Sequence, residues 1–259
     1  MSPFKKLLYL TGLLLSGVYS SHAQLLESDT ARWQLQLSSS LYLNQGNVDR
    51  LLWRNGLAVK HLQEQWGFSS RQQYLRGTFS GFKTENDWLS TNFLYYRPRQ
   101  RWYPYLMGWL ETNLRRRIGF RYQAGPGVSW RAWQSAGHLV KLSLTGTFES
   151  TQYDAVVFAA PPAGLEGNHL GLYRLTGRLW AQHRLGGNLW LQYEYWWQQA
   201  FRQAENYRWY FDAQLRVNLK KGLNGLASLL YSYEPFVPEG VKRRDLLFTV
   251  GLQYGLSVP

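Results

Sequence analysis

The sequence predicts an all-β fold, a closed antiparallel transmembrane β-barrel of about twelve strands. Three observations point there. The first is alternation of apolar and polar residues over long runs. In YRWYFDAQLRVNLK every second residue is apolar, from Tyr207, Trp209 and Phe211 through Ala213 and Leu215 to Val217 and Leu219. Between them stand Arg208, Tyr210, Asp212, Gln214, Arg216, Asn218 and Lys220. An ordinary soluble strand has about 5–6 residues, whereas a tilted membrane strand needs roughly 9–11. The second observation is aromatic content, with 13 Trp, 18 Tyr and 12 Phe. Rings with an apolar body and a polar tip collect where an apolar phase meets water. The third is that short and long connections alternate along the chain.

The N-terminus comes first. MSPFKK is a short basic region, LLYLTGLLLSGV an apolar one, and SSHAQ supplies small residues at Ser21 and Ala23. This is the layout of a secretory signal peptide over residues 1–23, cleaved after Ala23, which leaves residues 24–259 as one barrel domain.

Strand then follows strand. WQLQLSSSLYL puts Trp33, Leu35, Leu37, Leu41 and Leu43 on one face. LVKLSLTGTFE sets Val140, Leu142, Leu144 and Phe148 against Lys141, Ser143, Thr145, Thr147 and Glu149. LYRLTGRLWAQ sets Tyr173, Leu175, Leu179 and Ala181 against Arg174, Thr176, Arg178 and Gln182. LWLQYEYWWQQ sets Leu189, Leu191, Tyr193, Tyr195 and Trp197 against Trp190, Gln192, Glu194, Trp196 and Gln198. DLLFTVGLQY closes the series with Leu246, Phe248, Val250, Leu252 and Tyr254 on one face. Six less regular stretches complete the count, and residues 66–80 carry the faintest alternation.

EQW, PRQR, HRLGGN and KKGLN read as tight turns. Ser150 to His169 and Glu234 to Asp245 read as long loops. With both termini on one side, the two long loops fall together on the other, as in outer-membrane barrels.

Which face points inward follows from the charges. Arg174, Arg178, Arg208, Asp212 and Arg216 lie in central register on the polar faces. Trp33, Trp66, Trp102, Tyr103, Trp130, Tyr195, Trp197, Tyr207 and Trp209 cluster near strand ends, as a girdle would. The apolar face is therefore expected toward lipid and the polar face inward. In lipid such a sheet must close, because an open edge leaves backbone N–H and C=O groups without partners. A secreted soluble β-protein is the alternative fold.

No cysteine is present, so thiolate chemistry, thiolate metal sites and a lipidated Cys are excluded. The formal net charge is +13. Export turns that excess away from nucleic acid and toward anionic lipid or anionic solutes.

Two segments carry a family resemblance. SSSLYLNQGNVDRLLWRNGLAVK has a strand rich in small residues, then Gly46-Asn47, then a second strand. RRRIGFRYQAGPGVSWR has an arginine-rich lead-in followed by Gly119, Gly125 and Gly127. Both resemble the salt-induced outer-membrane protein family, domain of unknown function 481. The resemblance implies a bacterial outer-membrane barrel without an established activity. The chain departs from the usual aromatic C-terminus, ending TVGLQYGLSVP with Tyr254 as its last aromatic.

The histidines, His22, His61, His138, His169 and His183, show no metal-ligand spacing, so no metal and no cofactor are expected. A lipid-modifying barrel enzyme would need a nucleophile and a histidine on the lipid side. His61, read as the one histidine on that register, with Ser69 and Ser70 on the next strand, is the candidate set. The inward charges are the better functional candidates. Lys141, Arg174, Arg178, Arg208, Arg216 and Lys220 share the polar face with Glu149, Glu194 and Asp212. They make either a basic, anion-preferring passage or a filling of paired charges, narrowed by Trp180, Trp190, Trp196 and Tyr210. The expected role is structural or that of a narrow pore, without catalysis. Outer-membrane lipid and lipopolysaccharide, the outer-membrane assembly machinery and small anionic solutes are the expected partners, and nucleic acid is not.

Overall fold

The computed structural model describes residues 32–46, 49–154 and 157–258. The expected signal peptide and Asn47 lie outside the described residues.

Alternation makes strands because successive side chains leave a strand on opposite sides. Twelve long strands form the wall. They are β1 (Trp33–Asn44), β2 (Arg50–Leu62), β3 (Trp66–Phe79), β4 (Phe82–Tyr96), β5 (Trp102–Asn113) and β6 (Ile118–Ser135), then β7 (His138–Tyr153), β9 (His169–Gly186), β10 (Leu189–Ala200), β11 (Tyr207–Lys220), β12 (Leu223–Tyr233) and β13 (Arg244–Val258). A two-residue strand, β8 (Leu165–Glu166), lies against the start of β9. Every pairing is antiparallel between chain neighbours, with β7 beside β9. The sheet closes where β1 pairs β13, from Trp33 opposite Val258 to Ser39 opposite Leu252. Closure gives each wall strand two partners, the condition for strands in hydrocarbon.

The faint stretch at 66–80 is a full strand. Its outward set is interrupted by Ser70 and Gln72, which weakens the pattern without breaking the ladder. The two long loops share one end of the barrel and are shorter than read. Strand β7 continues to Tyr153 because Thr151 and Gln152 still pair with Leu170 and His169. The four-residue turn 114–117 belongs to the same end, as do 201–206 and 234–243.

The faces are inverted relative to a soluble protein. Leu246, Phe248 and Val250 are 68, 62 and 63% exposed, whereas Glu149 and Thr176 are 0% exposed. A water-soluble fold buries the first kind and exposes the second. The apolar band therefore faces lipid. Aromatic pairs mark its margin at the termini end: Trp33 on His61 at 4.1 Å, Trp66 with Tyr96 at 5.0 Å, and Trp102 stacked on Trp130 at 5.3 Å. At the loop end Tyr122, Phe148 and Tyr173 make the corresponding group. Tyr103 is not part of the girdle. It neighbours Trp102 on the strand, so it points the other way and is buried in the lumen.

Candidate functional site in the lumen

The inward register brings charged side chains of distant strands into one small space. Three layers result.

The layer at the loop end is a network of arginines and acids. Glu149 accepts Arg174 Nε at 2.9 Å and also Arg208 Nη2. Glu234, just past β12, accepts Arg116 Nη1 at 2.7 Å and Arg121 Nη2 at 2.8 Å. Arg116 reaches Asp245 as well, 3.0 Å from Nη2. Arg174 is held from its other side by Asn206, whose Oδ1 accepts Nη2 at 3.0 Å. Asp87 accepts Arg115 Nε at 2.9 Å, and Glu85 accepts Arg50 Nη2 at 2.6 Å. Arginine suits this role because its fixed fork serves two acids at once.

The middle layer crosses the barrel. Glu194 of β10 accepts Arg71 Nη1 of β3 at 2.9 Å, and Arg178 donates to its other oxygen. The Arg178 guanidinium lies 4.7 Å from the ring centre of Phe93 and 5.1 Å from that of Trp196. Trp109 meets Trp196 at 5.5 Å and Tyr210 at 5.8 Å, joining β5 to β10 and β11. Gly127 makes room for Tyr105, since a Cβ there would lie 2.7 Å from the Tyr105 Cζ atom. Asp212 lies 4.0 Å from Arg54.

The layer nearest the termini is different in kind. Lys60, Lys141 and Arg216 are buried there beside Gln182, Trp190 and Gln253. Among the described residues Arg216 has no carboxylate within salt-bridge distance. Lys141 lies over Tyr103 at 5.3 Å and Trp180 at 5.9 Å. Arg216 Nε, Trp190 Nε1 and both amide atoms of Gln182 are buried without a hydrogen-bond partner among the described residues.

Eight of the nine charges read from the sequence point into the lumen: Lys141, Glu149, Arg174, Arg178, Glu194, Arg208, Asp212 and Arg216. Lys220 does not join them. It is exposed at the end of β11, beyond a register shift between Asn218 and Lys220 that breaks the alternation. Arg174 and Arg178, two alternations apart on β9, stand in different layers: Arg174 in the loop-end network and Arg178 in the middle layer. Sequence reading missed Arg116 and Glu234, which sit in turns where alternation gives no face, and it placed Arg121 on the polar register of β6 without its acid partners. It also missed Arg71, which stands in the strand of faintest alternation.

The interior space is divided by these contacts. Cavities of about 110, 70, 50 and 10 Å³ lie along it. The smallest of these is lined by Arg71, Trp109, Glu194, Trp196 and Tyr210, the residues of the cross-barrel contacts.

The set His61, Ser69 and Ser70 is not assembled. His61 Nδ1 lies 2.9 Å from the Arg32 carbonyl, Ser69 turns inward to the Tyr95 hydroxyl, and Ser70 donates to Asn92. His61 is also not alone on the outward register. His138 and His183 face each other there, Nδ1 to Nδ1 at 3.2 Å, and His169 Nε2 lies 2.8 Å from Ser150 Oγ.

Among solved structures the chain is similar to the NanC porin, with 12% identity over 87% of this chain and 99% of that one, and a TM-score of 0.48. It is similar to the KdgM porin, with 13% identity over 86% and 98% and a TM-score of 0.44. It is also similar to the COG4313 outer membrane channel from Pseudomonas putida F1, with 13% identity over 93% and 100% and a TM-score of 0.45. No curated protein matches the chain. The closed wall with its apolar outside places the protein in the bacterial outer membrane. Residues 37–256 match the model of one family along nearly the whole barrel, and the chain belongs to that family, described as protein of unknown function, DUF481.

Proposed function

We propose that the protein is a narrow outer-membrane pore, preferring anions, whose passage is occluded at mid-height in its resting state. The uneven placement of inward charge supports this reading. Acids neutralise the arginines in the loop-end and middle layers, while Arg216, nearer the termini, is buried with its Nε unpartnered among the described residues. In surroundings of low dielectric, fixed charge acts strongly on a passing ion. The occlusion rests on the Arg71–Glu194–Arg178 contact, which bridges opposite walls. Planar-bilayer recording of the refolded protein tests the reading. Low, intermittent conductance with anion selectivity is expected. No conductance in the wild type or in any variant that removes the Glu194 carboxylate would leave a filled barrel with a structural role.

One observation favours a second reading, acyl-ester hydrolysis at the lipid surface. Ser150 Oγ and His169 Nε2 form a hydrogen bond of 2.8 Å on the outward register, next to Tyr122, Phe148 and Tyr173. That is how a general base meets a serine nucleophile, and Glu166 is the cross-strand partner of His169. Turnover of a labelled phospholipid that disappears in both Ser150→Ala and His169→Ala, with conductance unchanged, would favour it.

A further inference from the structure

Most of the outward wall is apolar, but β1–β4 carry a polar patch. Ser39, Asn55, Ser70, Gln72, Ser90 and Asn92 share the outward register with Leu37, Leu57 and Phe68. They sit in the inner parts of their strands, between Trp66 and Tyr96 at the termini end and the outward aromatics Trp53, Tyr74 and Trp88 on the loop side. On the adjoining β11–β13 part of the wall the outward register carries Phe211, Leu215, Phe248 and Val250 instead.

The patch is organised by its own hydrogen bonds. Ser39 Oγ donates to Asn55 Oδ1 at 3.0 Å and accepts Trp53 Nε1 at 3.0 Å. Gln72 Nε2 lies 2.8 Å from both Ser70 Oγ and Ser90 Oγ. Ser70 Oγ donates to Asn92 Oδ1 at 2.7 Å, and Asn92 Nδ2 donates to Ser90 Oγ at 2.8 Å. These bonds engage Asn55 through its oxygen and Gln72 through its nitrogen. The opposite end of each amide, a donor on Asn55 and an acceptor on Gln72, is the complement of the other. A shallow groove of about 620 Å³ runs over this part of the wall, lined by Leu37, Asn55, Leu57, Gln72, Tyr74 and Leu252 among others. Two convex cylinders touch along a line, and an indentation widens the contact.

We infer that this face is the interface with a second copy of the chain within the membrane. Acyl chains offer nothing to the amides and hydroxyls that lie between the two rows of outward aromatics, so a partner that meets them must itself enter the membrane. The patch is uncharged, which gives no basis for a partner of opposite charge. An identical barrel carries the same donors and acceptors at the same depth, and a two-fold contact lets the Asn55 donor of each copy meet the Gln72 acceptor of the other. Small polar residues at such contacts let backbones approach.

Cysteine cross-linking in native membranes and mass measurement in detergent test the interface. Asn55→Cys should give a disulfide-linked dimer under mild oxidation, and Leu215→Cys on β11, outside the patch, should not. The wild type should have the mass of two chains, and Asn55→Leu with Gln72→Leu should have the mass of one. Should the double variant fail to fold, the single-cysteine comparison still decides. Equal cross-linking at residues 55 and 215, a monomeric wild type in both detergent and bilayer, or a cross-link from residue 55 to a different protein would each overturn the inference.

Discussion

Arg71 and Glu194 meet across the full width of the barrel, Nη1 to Oε2 at 2.9 Å, although their strands β3 and β10 stand on opposite sides of the twelve-strand wall. Pairs between neighbouring strands fix register. A pair across the lumen spans the passage itself. Arg178 occupies the other carboxylate oxygen, so Glu194 joins its own neighbour to the far wall.

Removing the Glu194 charge should therefore do two things. Glu194→Gln leaves Arg71 and Arg178 facing each other without their acid. Breaking a buried pair from one side costs about 3–5 kcal/mol, to be read from the urea midpoint in micelles. The same variant should conduct more, because the contact that spans the lumen is lost. Unchanged conductance with lowered stability would make Glu194 a purely structural residue.

Leu215→Arg tests the assignment of faces. Leu215 is 38% exposed on the outward register, and its neighbour Arg216 is 5% exposed on the inward one. An arginine facing lipid near the bilayer midplane costs roughly 2–4 kcal/mol. Arg216→Gln should cost much less, since it removes a buried cation that has no acid beside it. Unfolding in lipid vesicles gives both numbers, and the reverse order would mean the faces are exchanged.

How much of this was legible in the sequence depends on where periodicity operates. The run from Tyr207 to Val217 declares its faces because a strand has period two and its outward residues are all apolar. Strand number, closure and the inward position of Glu149, Arg174 and Arg178 follow from that rule. It ends where the strand ends, so Arg116 and Glu234 could not be assigned from turns. It also fails at a register shift, which is why Lys220 was misread. Alternation says which side a residue faces but not what it meets across the lumen. The Arg71–Glu194 contact depends on closure and strand number together, and neither is a local property.

Acid should act through Glu234. This carboxyl lies beyond the end of β12. Burial pushes its pKa up, but Arg121, Arg208 and Arg116 outweigh burial and hold it well below the usual carboxylate range. An unfolded glutamate titrates near about 4.3. Because the folded value is the lower one, its stabilising contribution is complete above the unfolded value and is lost as pH falls toward the folded one. The urea midpoint should thus hold steady from neutral pH to about pH 5 and decline below about pH 4. Glu234→Gln should be less stable at neutral pH, with a gap to the wild type that narrows in acid. A gap of constant size down to about pH 3 would exclude this carboxylate as the source.

Selectivity should follow the layer near the termini. There Arg216 is buried beside Trp190 with no carboxylate within salt-bridge distance among the described residues, and Lys141 lies between the rings of Tyr103 and Trp180. In a conducting background, the wild type or Glu194→Gln, Arg216→Gln should move the reversal potential toward cations, and Arg216→Glu should move it further. The change should shrink at high salt, because the Debye length falls from about 10 Å at 0.1 M to about 3 Å at 1 M. Arg121→Gln supplies the contrast. Its charge is already offset by Glu234, Glu111 and Glu149 in the loop-end network, so it should alter stability more than selectivity. A reversal potential that responds to Arg121→Gln and ignores Arg216→Gln would place the selective charge at the loop end, and the termini layer would then be no more than packing.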